Sequence, residues 1–196
     1  MSGLVLASAS ASRAALLRGA GVEFQVSPAD LDEAALMKEM EGAETAKVAT
    51  AIAGEKARYV SRRHRGAWVL GGDTMVEFAG AWIDKCQDMA AAEALLRRLS
   101  GQSHLLVSAA VLARDGVVLW SLASPVRLTM RRLSDGFLKA YLAKEGEALL
   151  STVGCYRLEG LGAQLFETVE GDYFSVLGLP LLPVLEALRM QGILPS

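Results

Sequence analysis

The sequence predicts an α/β protein, and three observations support this class. A short apolar run at residues 4–7 leads into a serine-rich loop and then into residues with helical spacing. Two long apolar runs flank Asp115-Gly116, a dipeptide typical of a β-hairpin turn. Residues 44–62 carry apolar side chains at helical spacing between charged ones. Strands and amphipathic helices therefore alternate along one chain.

Composition narrows the classes of function. The chain has 196 residues, of which 52% are hydrophobic, enough for one domain with a substantial core. Its formal net charge of −2 argues against broad binding to nucleic acid or to an anionic membrane. No apolar stretch approaches the about 20 residues that span a bilayer, and a signal peptide is not expected. Cys86 and Cys155 lack metal-ligand spacing and are predicted to be reduced thiols in the cytoplasm.

The first strand–loop–helix corner is a candidate anion site. Ser8, Ser10 and Ser12 alternate with alanines after the strand, and Arg13 lies in the helix that follows. Backbone N–H groups and the dipole at a helix N-terminus favour negative charge, while hydroxyl and guanidinium groups add donors for phosphate oxygens. Ser12 is predicted to cap this helix. The alternative is a buried strand and turn with a solvated arginine.

Two carboxylate-bearing segments follow. After a strand predicted at residues 22–26, Asp30, Asp32 and Glu33 are either the acidic first turn of a helix or carboxylates available to Mg²⁺. The helix at residues 44–62 then carries Lys56, for which a solvated helix face is the ordinary interpretation.

An aspartate beside two glycines is a further candidate. A strand at residues 68–70 leads into Gly71-Gly72-Asp73, and another strand-like run continues towards a hairpin near Gly80. Glycines permit close approach of backbone or ligand, and an aspartate at a strand end can serve as a metal ligand or base in a cleft. A structural turn aspartate is the alternative interpretation.

The second half of the chain is predicted to contain three helices, three strands and a glycine-rich loop. In order, the regular elements are a helix capped by Asp88, strands at 105–112 and 117–130, a helix capped by Ser134, a strand at 164–169 and a helix beginning near Pro180. The glycine-rich loop covers residues 154–163 and contains one carboxylate, Glu159.

Several short motifs stand in order along the chain. They are Leu6-Ala7-Ser8-Ala9-Ser10 with Arg13, Leu31-Asp32-Glu33, Glu55-Lys56-Ala57, Gly72-Asp73-Thr74, Asp84-Lys85, Leu99-Ser100-Gly101-Gln102-Ser103-His104, and Asp172-Tyr173 with Gly178-Leu179-Pro180-Leu181. Each motif alone has little specificity, but the ordered set covers essentially the whole chain. It resembles the Maf family of nucleoside triphosphate pyrophosphatases.

The resemblance implies both a fold and an activity. The fold is a single Maf-like domain over residues 1–196, with a mixed, strongly curved sheet flanked by helices and a central cleft between two lobes. The activity is hydrolysis of nucleoside triphosphates to a monophosphate and pyrophosphate by a cytoplasmic enzyme, usually a homodimer, that requires Mg²⁺, Mn²⁺ or a similar divalent ion. A house-cleaning role is implied, and the alternative is a nucleotide-binding regulator of cell division with little catalytic activity.

Carried onto this chain, the resemblance implies catalytic roles for Asp73, Glu33, Lys56 and Lys85. Asp73 and Glu33 would bind the metal, and Asp73 would orient or deprotonate the attacking water. The lysines would neutralise charge on the leaving pyrophosphate. Asp73 as base alone, with Glu33 as the metal ligand, stays open as an alternative.

The resemblance also implies that Ser8, Ser10 and Arg13 bind phosphate. The family motif continues with a proline and two arginines, whereas this chain has Ala11 and Ser12 in place of the proline and the first arginine. One phosphate contact is therefore lost here or supplied from elsewhere.

Base recognition is expected in the glycine-rich loop. Glu159 stands where the family branch acting on dTTP and UTP has glutamine, and Thr152 where that branch has lysine; the branch preferring 7-methyl-GTP has glutamate. A carboxylate can accept hydrogen bonds from guanine N1–H and its amino group, and it favours the positive charge of 7-methylguanine. Tyr156 is either a stacking partner for the base or a core residue, and the alternative for Glu159 is a solvated acid in the loop. The sequence thus favours guanine or 7-methylguanine triphosphates.

Overall fold

The computed structural model describes residues 3–195, which form one seven-stranded mixed sheet with helices on both faces. The strands are β1 (Leu4–Leu6), β2 (Phe24–Val26), β3 (Trp68–Phe78), β4 (Ala81–Ile83), β5 (Ser103–Arg114), β6 (Val117–Met130) and β7 (Phe166–Glu170). The helices are α1 (Ala11–Gly19), α2 (Glu33–Glu39), α3 (Thr45–Ser61), α4 (Met89–Leu99), α5 (Asp135–Glu145), α6 (Tyr173–Val176) and α7 (Leu181–Met190). Short 3₁₀ helices cover Gly146–Ser151 and Leu161–Leu165.

The strand order confirms the predicted mixed α/β class. The sheet runs β2-β1-β3-β5-β6-β7, and β4 pairs with β3 beside this path. β1 is parallel to β2 and to β3, whereas the other pairs are antiparallel. Across residues 3–195, no helix is both long enough and apolar enough to cross a membrane.

Helices cover the centre of the sheet on both sides. Leu4 and Leu6 of β1 pack towards α1 and α7, while Val5 packs towards α3. Because alternate residues of a strand face opposite sides, a strand buried on both faces is continuously apolar, which explains the short run that begins the chain. Helix α3 lies very close to β3, since a Cβ atom at Gly71 would overlap the carbonyl oxygen of Ala53.

A polar layer divides one face of the sheet. Leu106 at one end of β5 belongs to an apolar cluster with α4 and α5, whereas Leu112 at the other end belongs to the cluster with α1 and α7. Between them, Ser108 lies 2.9 Å from the Thr74 hydroxyl and donates to the Ser175 carbonyl at 2.6 Å. The two clusters share strands but meet across hydroxyl groups.

The structure corrects two local predictions and adds one helix. Ser10, not Ser12, caps α1, because its hydroxyl accepts from the Arg13 amide at 3.3 Å and the helix begins one residue later. Gly71 and Gly72 lie inside the continuous strand β3 rather than in a turn, since both lack a Cβ where α3 and Arg13 approach. Helix α6, which Asp172 caps, is not among the predicted elements.

A histidine and a tyrosine meet inside the α4–α5 cluster. The His104 Nε2 atom lies 2.8 Å from the Tyr156 hydroxyl, and the two residues are only 2% and 4% exposed. Among the described residues, His104 Nδ1 has no hydrogen-bond partner. Burial lowers the pKa of His104 from 6.5 to about 4, because the cationic imidazole would lose its hydration there.

We expect acid to destabilise the protein through His104. Between pH 6.5 and about 4 the unfolded chain binds a proton at this position that the folded chain excludes. The stability that this neutral imidazole contributes is present above pH 6.5 and is lost as the pH falls towards 4, by up to about 3 kcal/mol. Urea unfolding across this range should show a weaker pH dependence for His104→Gln than for the unmodified chain. Parallel pH profiles would contradict the assignment.

Candidate active site

One lysine lies between two carboxylates at the centre of the molecule. The Lys56 Nζ atom is 2.9 Å from Glu33 Oε2 and 2.9 Å from Asp73 Oδ1. The side chains of Lys56 and Asp73 are each 11% exposed, whereas that of Glu33 is 45% exposed. Asp73 and Lys56 therefore lie in the core, and Glu33 lies at the solvent side, as expected for a cleft with one open side.

One edge of β3 is unpaired beside this site. One edge of β3 pairs with β5 along residues 69–77, so β1 and β4 both use the other edge. Pairing with β1 ends at Leu70 of β3, and pairing with β4 begins at Val76 of β3. Within residues 3–195, no strand pairs with residues 71–75 on that edge, and Asp73 lies at the middle of the gap. The prediction of a strand-end aspartate is thus wrong, because Asp73 lies within β3, three residues after the last position that pairs with β1.

Each charged side chain is placed by its own element. Lys56 belongs to the buried face of α3, which packs on β3 at Gly71. Glu33 is the first residue of α2, whose cap is the Asp32 side chain accepting from Ala35 at 3.0 Å. The acidic segment is therefore a helix start and also supplies a carboxylate to the site. The helix-start interpretation is confirmed, and metal binding by this segment stays a prediction.

Arg13 lies on the opposite face of β3. Its Nε donates to the Gly178 carbonyl at 2.7 Å, its Nη1 to Ser8 Oγ at 3.0 Å and its Nη2 to Thr74 Oγ1 at 2.9 Å. Burial lowers the pKa of Arg13, while the negative charges of Asp73 and Glu33 act in the opposite direction. The two carboxylates are therefore within electrostatic range of this guanidinium.

These contacts give Arg13 a structural part in the corner. It is buried and ties together the end of β1, the middle of β3 and the loop before α7. The sequence suggested a solvated arginine or a phosphate ligand, and the solvated alternative is wrong. Phosphate binding by Arg13 stays a prediction.

The serines cluster as predicted at the N-terminus of α1. The Ser8 hydroxyl accepts from the Ser10 amide at 3.2 Å, and the hydroxyls of Ser10 and Ser12 lie 2.9 Å apart. Ser8 is buried, whereas the other two are partly exposed. Hydroxyl groups thus lead from the Arg13 cluster to the surface, and their phosphate contacts remain predictions.

The remaining predicted site residues are distributed differently. Lys85 follows β4 and Glu159 lies in the glycine-rich loop; both are exposed, and neither forms an ion pair with another described residue. Tyr156 is buried against His104 and Phe166, with the two ring centroids at 5.6 and 4.9 Å. Stacking of Tyr156 on a base is therefore corrected to a role in the core.

Sequence reasoning missed Thr74 and Gly178. Thr74 stood in a quoted motif without a role, yet strand periodicity places it on the face opposite Asp73, where it accepts from Arg13. Gly178 has φ +103°, and its carbonyl accepts the Arg13 Nε hydrogen bond. The motif spacing offered no signal for a contact between residues so far apart in sequence.

The acidic pair offers a limited set of metal ligands. Lys56 contacts Oδ1 of Asp73 and Oε2 of Glu33, which leaves a second oxygen on each carboxylate. Among the described residues, no three His, Cys, Asp or Glu side chains are grouped so that they could hold a metal ion by themselves. Magnesium commonly uses one or two carboxylates together with substrate phosphates, so this donor set fits an ion held jointly with a polyphosphate.

A comparison with known families identifies the chain. Residues 3–191 match the family model described as Maf-like protein. The chain belongs to the Maf family. In this Maf protein, the motifs that carry Arg13, Glu33, Lys56 and Asp73-Thr74 meet at the middle of β3, whereas His104, from another motif, lies in the α4–α5 cluster.

Curated relatives match this Maf protein over nearly its whole length. A nucleoside triphosphate pyrophosphatase of Granulibacter bethesdensis is 48% identical over 190 residues, which are 96% of each chain. A 7-methyl-GTP pyrophosphatase of Rhizobium meliloti is 48% identical over 191 residues, again 96% of each chain. A HAM1 protein from Coxiella burnetii has a TM-score of 0.43 and 20% identity over 68% of this chain and 75% of that one.

Proposed function

We propose that this Maf protein hydrolyses nucleoside triphosphates between the α and β phosphates, which yields a nucleoside monophosphate and pyrophosphate. The observation that carries the proposal is Lys56 between Asp73 and Glu33 at the gap in the sheet. Relatives with 48% identity that are named as pyrophosphatases support the same reaction. The serine corner at α1 supplies hydroxyl donors suited to a polyphosphate.

Asp73 is proposed to receive the proton of the attacking water. Its carboxylate is nearly buried and is held by the Lys56 ammonium, so its orientation is fixed before substrate enters. The oxygen of that water forms a bond to the α phosphorus while the bond from this phosphorus to the bridging oxygen breaks. Lys56, together with Lys85 of the loop after β4, is proposed to neutralise charge on the departing pyrophosphate.

A divalent cation fits this arrangement. Asp73 and Glu33 would hold Mg²⁺ or Mn²⁺, which would withdraw charge from the phosphate oxygens. The half-exposed side chain of Glu33 can shift with the substrate, whereas Asp73 is fixed in β3. Homodimer formation and a cytoplasmic location remain predictions from family resemblance.

The base is proposed to be guanine or 7-methylguanine, recognised by Glu159. This exposed carboxylate has no ion pair among the described residues and is available to accept from guanine N1–H and its amino group. A glutamine would offer one acceptor and would not favour the positive charge of 7-methylguanine. The Rhizobium meliloti relative is named 7-methyl-GTP pyrophosphatase, which supports this choice of base.

A substrate panel tests the proposed function. With Mg²⁺ or Mn²⁺, we expect pyrophosphate release from 7-methyl-GTP and GTP at higher kcat/KM than from dTTP and UTP. Glu159→Gln should reduce the preference for 7-methyl-GTP over UTP by about tenfold, since a charge-assisted hydrogen bond is lost. Glu167→Gln, at an exposed position on β7, is the matched control. Nucleotide binding without turnover across the panel and both metals would instead favour a regulatory protein.

A further inference from the structure

An ion pair lies directly beneath the loop that carries Glu159. The guanidinium of Arg157 donates from Nε at 3.1 Å and from Nη2 at 2.5 Å to the same oxygen, Oε2 of Glu145. Glu145 ends α5 and its side chain is only 5% exposed, whereas that of Arg157 is 41% exposed. A buried carboxylate requires a partner, so this contact fixes where the guanidinium points.

The loop folds tightly around the backbone of Arg157. The Gly160 amide donates to the Arg157 carbonyl at 3.2 Å, and a Cβ atom on Gly162 would overlap that carbonyl and lie 2.7 Å from the Arg157 amide. Glu159 therefore lies at the tip of a short turn whose base is Arg157. Its carboxylate and the guanidinium belong to residues two positions apart.

The side chains of Arg157, Glu145 and Glu159 interact electrostatically. The pKa of Arg157 is raised first by its hydrogen bonds to Glu145, and the negative charge of Glu159 acts in the same direction. Glu159 is thus within electrostatic range of a cation that it does not contact in an ion pair. Two carboxylates compete for one guanidinium, and the buried one holds it.

We propose that Glu145 is a positioning residue for base selectivity, which keeps Arg157 away from Glu159 so that the Glu159 carboxylate stays free to accept from the base. This inference rests on the proposed role of Glu159. Without the charge at position 145, the flexible and half-exposed Arg157 side chain turns to the only nearby carboxylate in its own loop. A neutralised, occupied Glu159 then loses its preference for guanine.

A pair of variants separates this role from simple structural support. Glu145→Gln should lower the ratio of kcat/KM for 7-methyl-GTP over UTP by about tenfold, equivalent to about 1.4 kcal/mol, while kcat/KM for UTP is retained. Adding Arg157→Gln removes the competing cation and leaves two amides that can hydrogen bond to each other. The double variant should therefore regain most of the selectivity. Glu147→Gln, at an exposed position in the next turn, is the control.

Each outcome decides between the alternatives. Unchanged selectivity in Glu145→Gln overturns the inference, and so does a double variant that stays as unselective as the single one, because lost packing is not repaired by a second truncation. Thermal unfolding of each variant identifies any that fail to fold. If one fails, Arg157→Lys is measured in its place; because lysine keeps the contact with Glu145, this variant should retain the selectivity. If Glu159→Gln alone has no effect on base preference, the proposed base site itself is wrong. An effect of Glu159→Gln without one of Glu145→Gln refutes only the positioning role.

Discussion

Asp73→Asn should reduce kcat for pyrophosphate release by about a thousandfold while the protein stays folded. The amide has the size and shape of the carboxylate but can neither receive a proton from water nor balance the charge of Lys56. Because Lys56 keeps its 2.9 Å contact with Glu33, the ammonium does not become a buried, unpaired charge. Steady-state kinetics on 7-methyl-GTP with Mg²⁺, alongside thermal unfolding, measures both parts of this expectation.

The matched control for this variant is Asp88→Asn. Asp88 caps α4 by accepting from the Ala91 amide at 2.8 Å, and asparagine serves equally well at that position. Its activity should therefore equal that of the unmodified chain. Full turnover in Asp73→Asn would remove Asp73 from the chemistry and leave the proposed mechanism without a base.

Gly71→Ala should cost about 3 kcal/mol of unfolding free energy, a large effect for one methyl group. The added Cβ would overlap the Ala53 carbonyl oxygen and lie 2.9 Å from the Ala57 Cβ and 3.0 Å from the Ala57 amide. Backbone atoms cannot rotate away as a flexible side chain can. Helix α3 must shift from the sheet, and Lys56, next to Ala57, moves with it.

Gly71→Ala is therefore expected to lose activity together with stability. Urea unfolding gives the change in stability, and kcat at a temperature where the variant stays folded gives the displacement of Lys56. Gly19→Ala at the end of α1 is the comparison, because its Cβ would meet nothing within 4 Å. That variant should stay within about 0.5 kcal/mol of the unmodified chain. Similar stabilities for the two variants would mean that α3 tolerates a Cβ beneath it.

The sequence predicted the elements of this fold better than their contacts. The caps at Asp88 and Ser134 are where the local pattern placed them, because a cap depends on residues three positions away. The helix predicted at residues 44–62 was found at Thr45–Ser61 for the same local reason. The break predicted at Gly71-Gly72 was wrong, since the need for these glycines comes from α3 and Arg13, which are distant in sequence.

The same limit applies to the candidate site. Ordered motifs identified Asp73, Glu33 and Lys56, but only the fold shows that one ammonium joins both carboxylates. Cys86 and Cys155 had unrelated sequence contexts, yet Cys86 packs against the apolar cluster that contains Cys155, and burial raises the pKa of Cys155 to about 12. Residues that meet only through tertiary contacts produce no periodic pattern in a single sequence.

Asp73 and Thr74 are neighbours whose side chains leave β3 on opposite sides. The proposed chemistry at Asp73 and the hydrogen bond of Thr74 with Arg13 therefore depend on the same peptide unit. Its register is held by pairing with β5 from Val69 opposite Ala113 to Glu77 opposite Leu105. A slip of one residue would exchange the acid and the hydroxyl. We therefore expect length changes to be better tolerated in the turns at either end of β3 than within the strand. One residue inserted within β3 would move the side chains that follow it to the opposite face of the sheet.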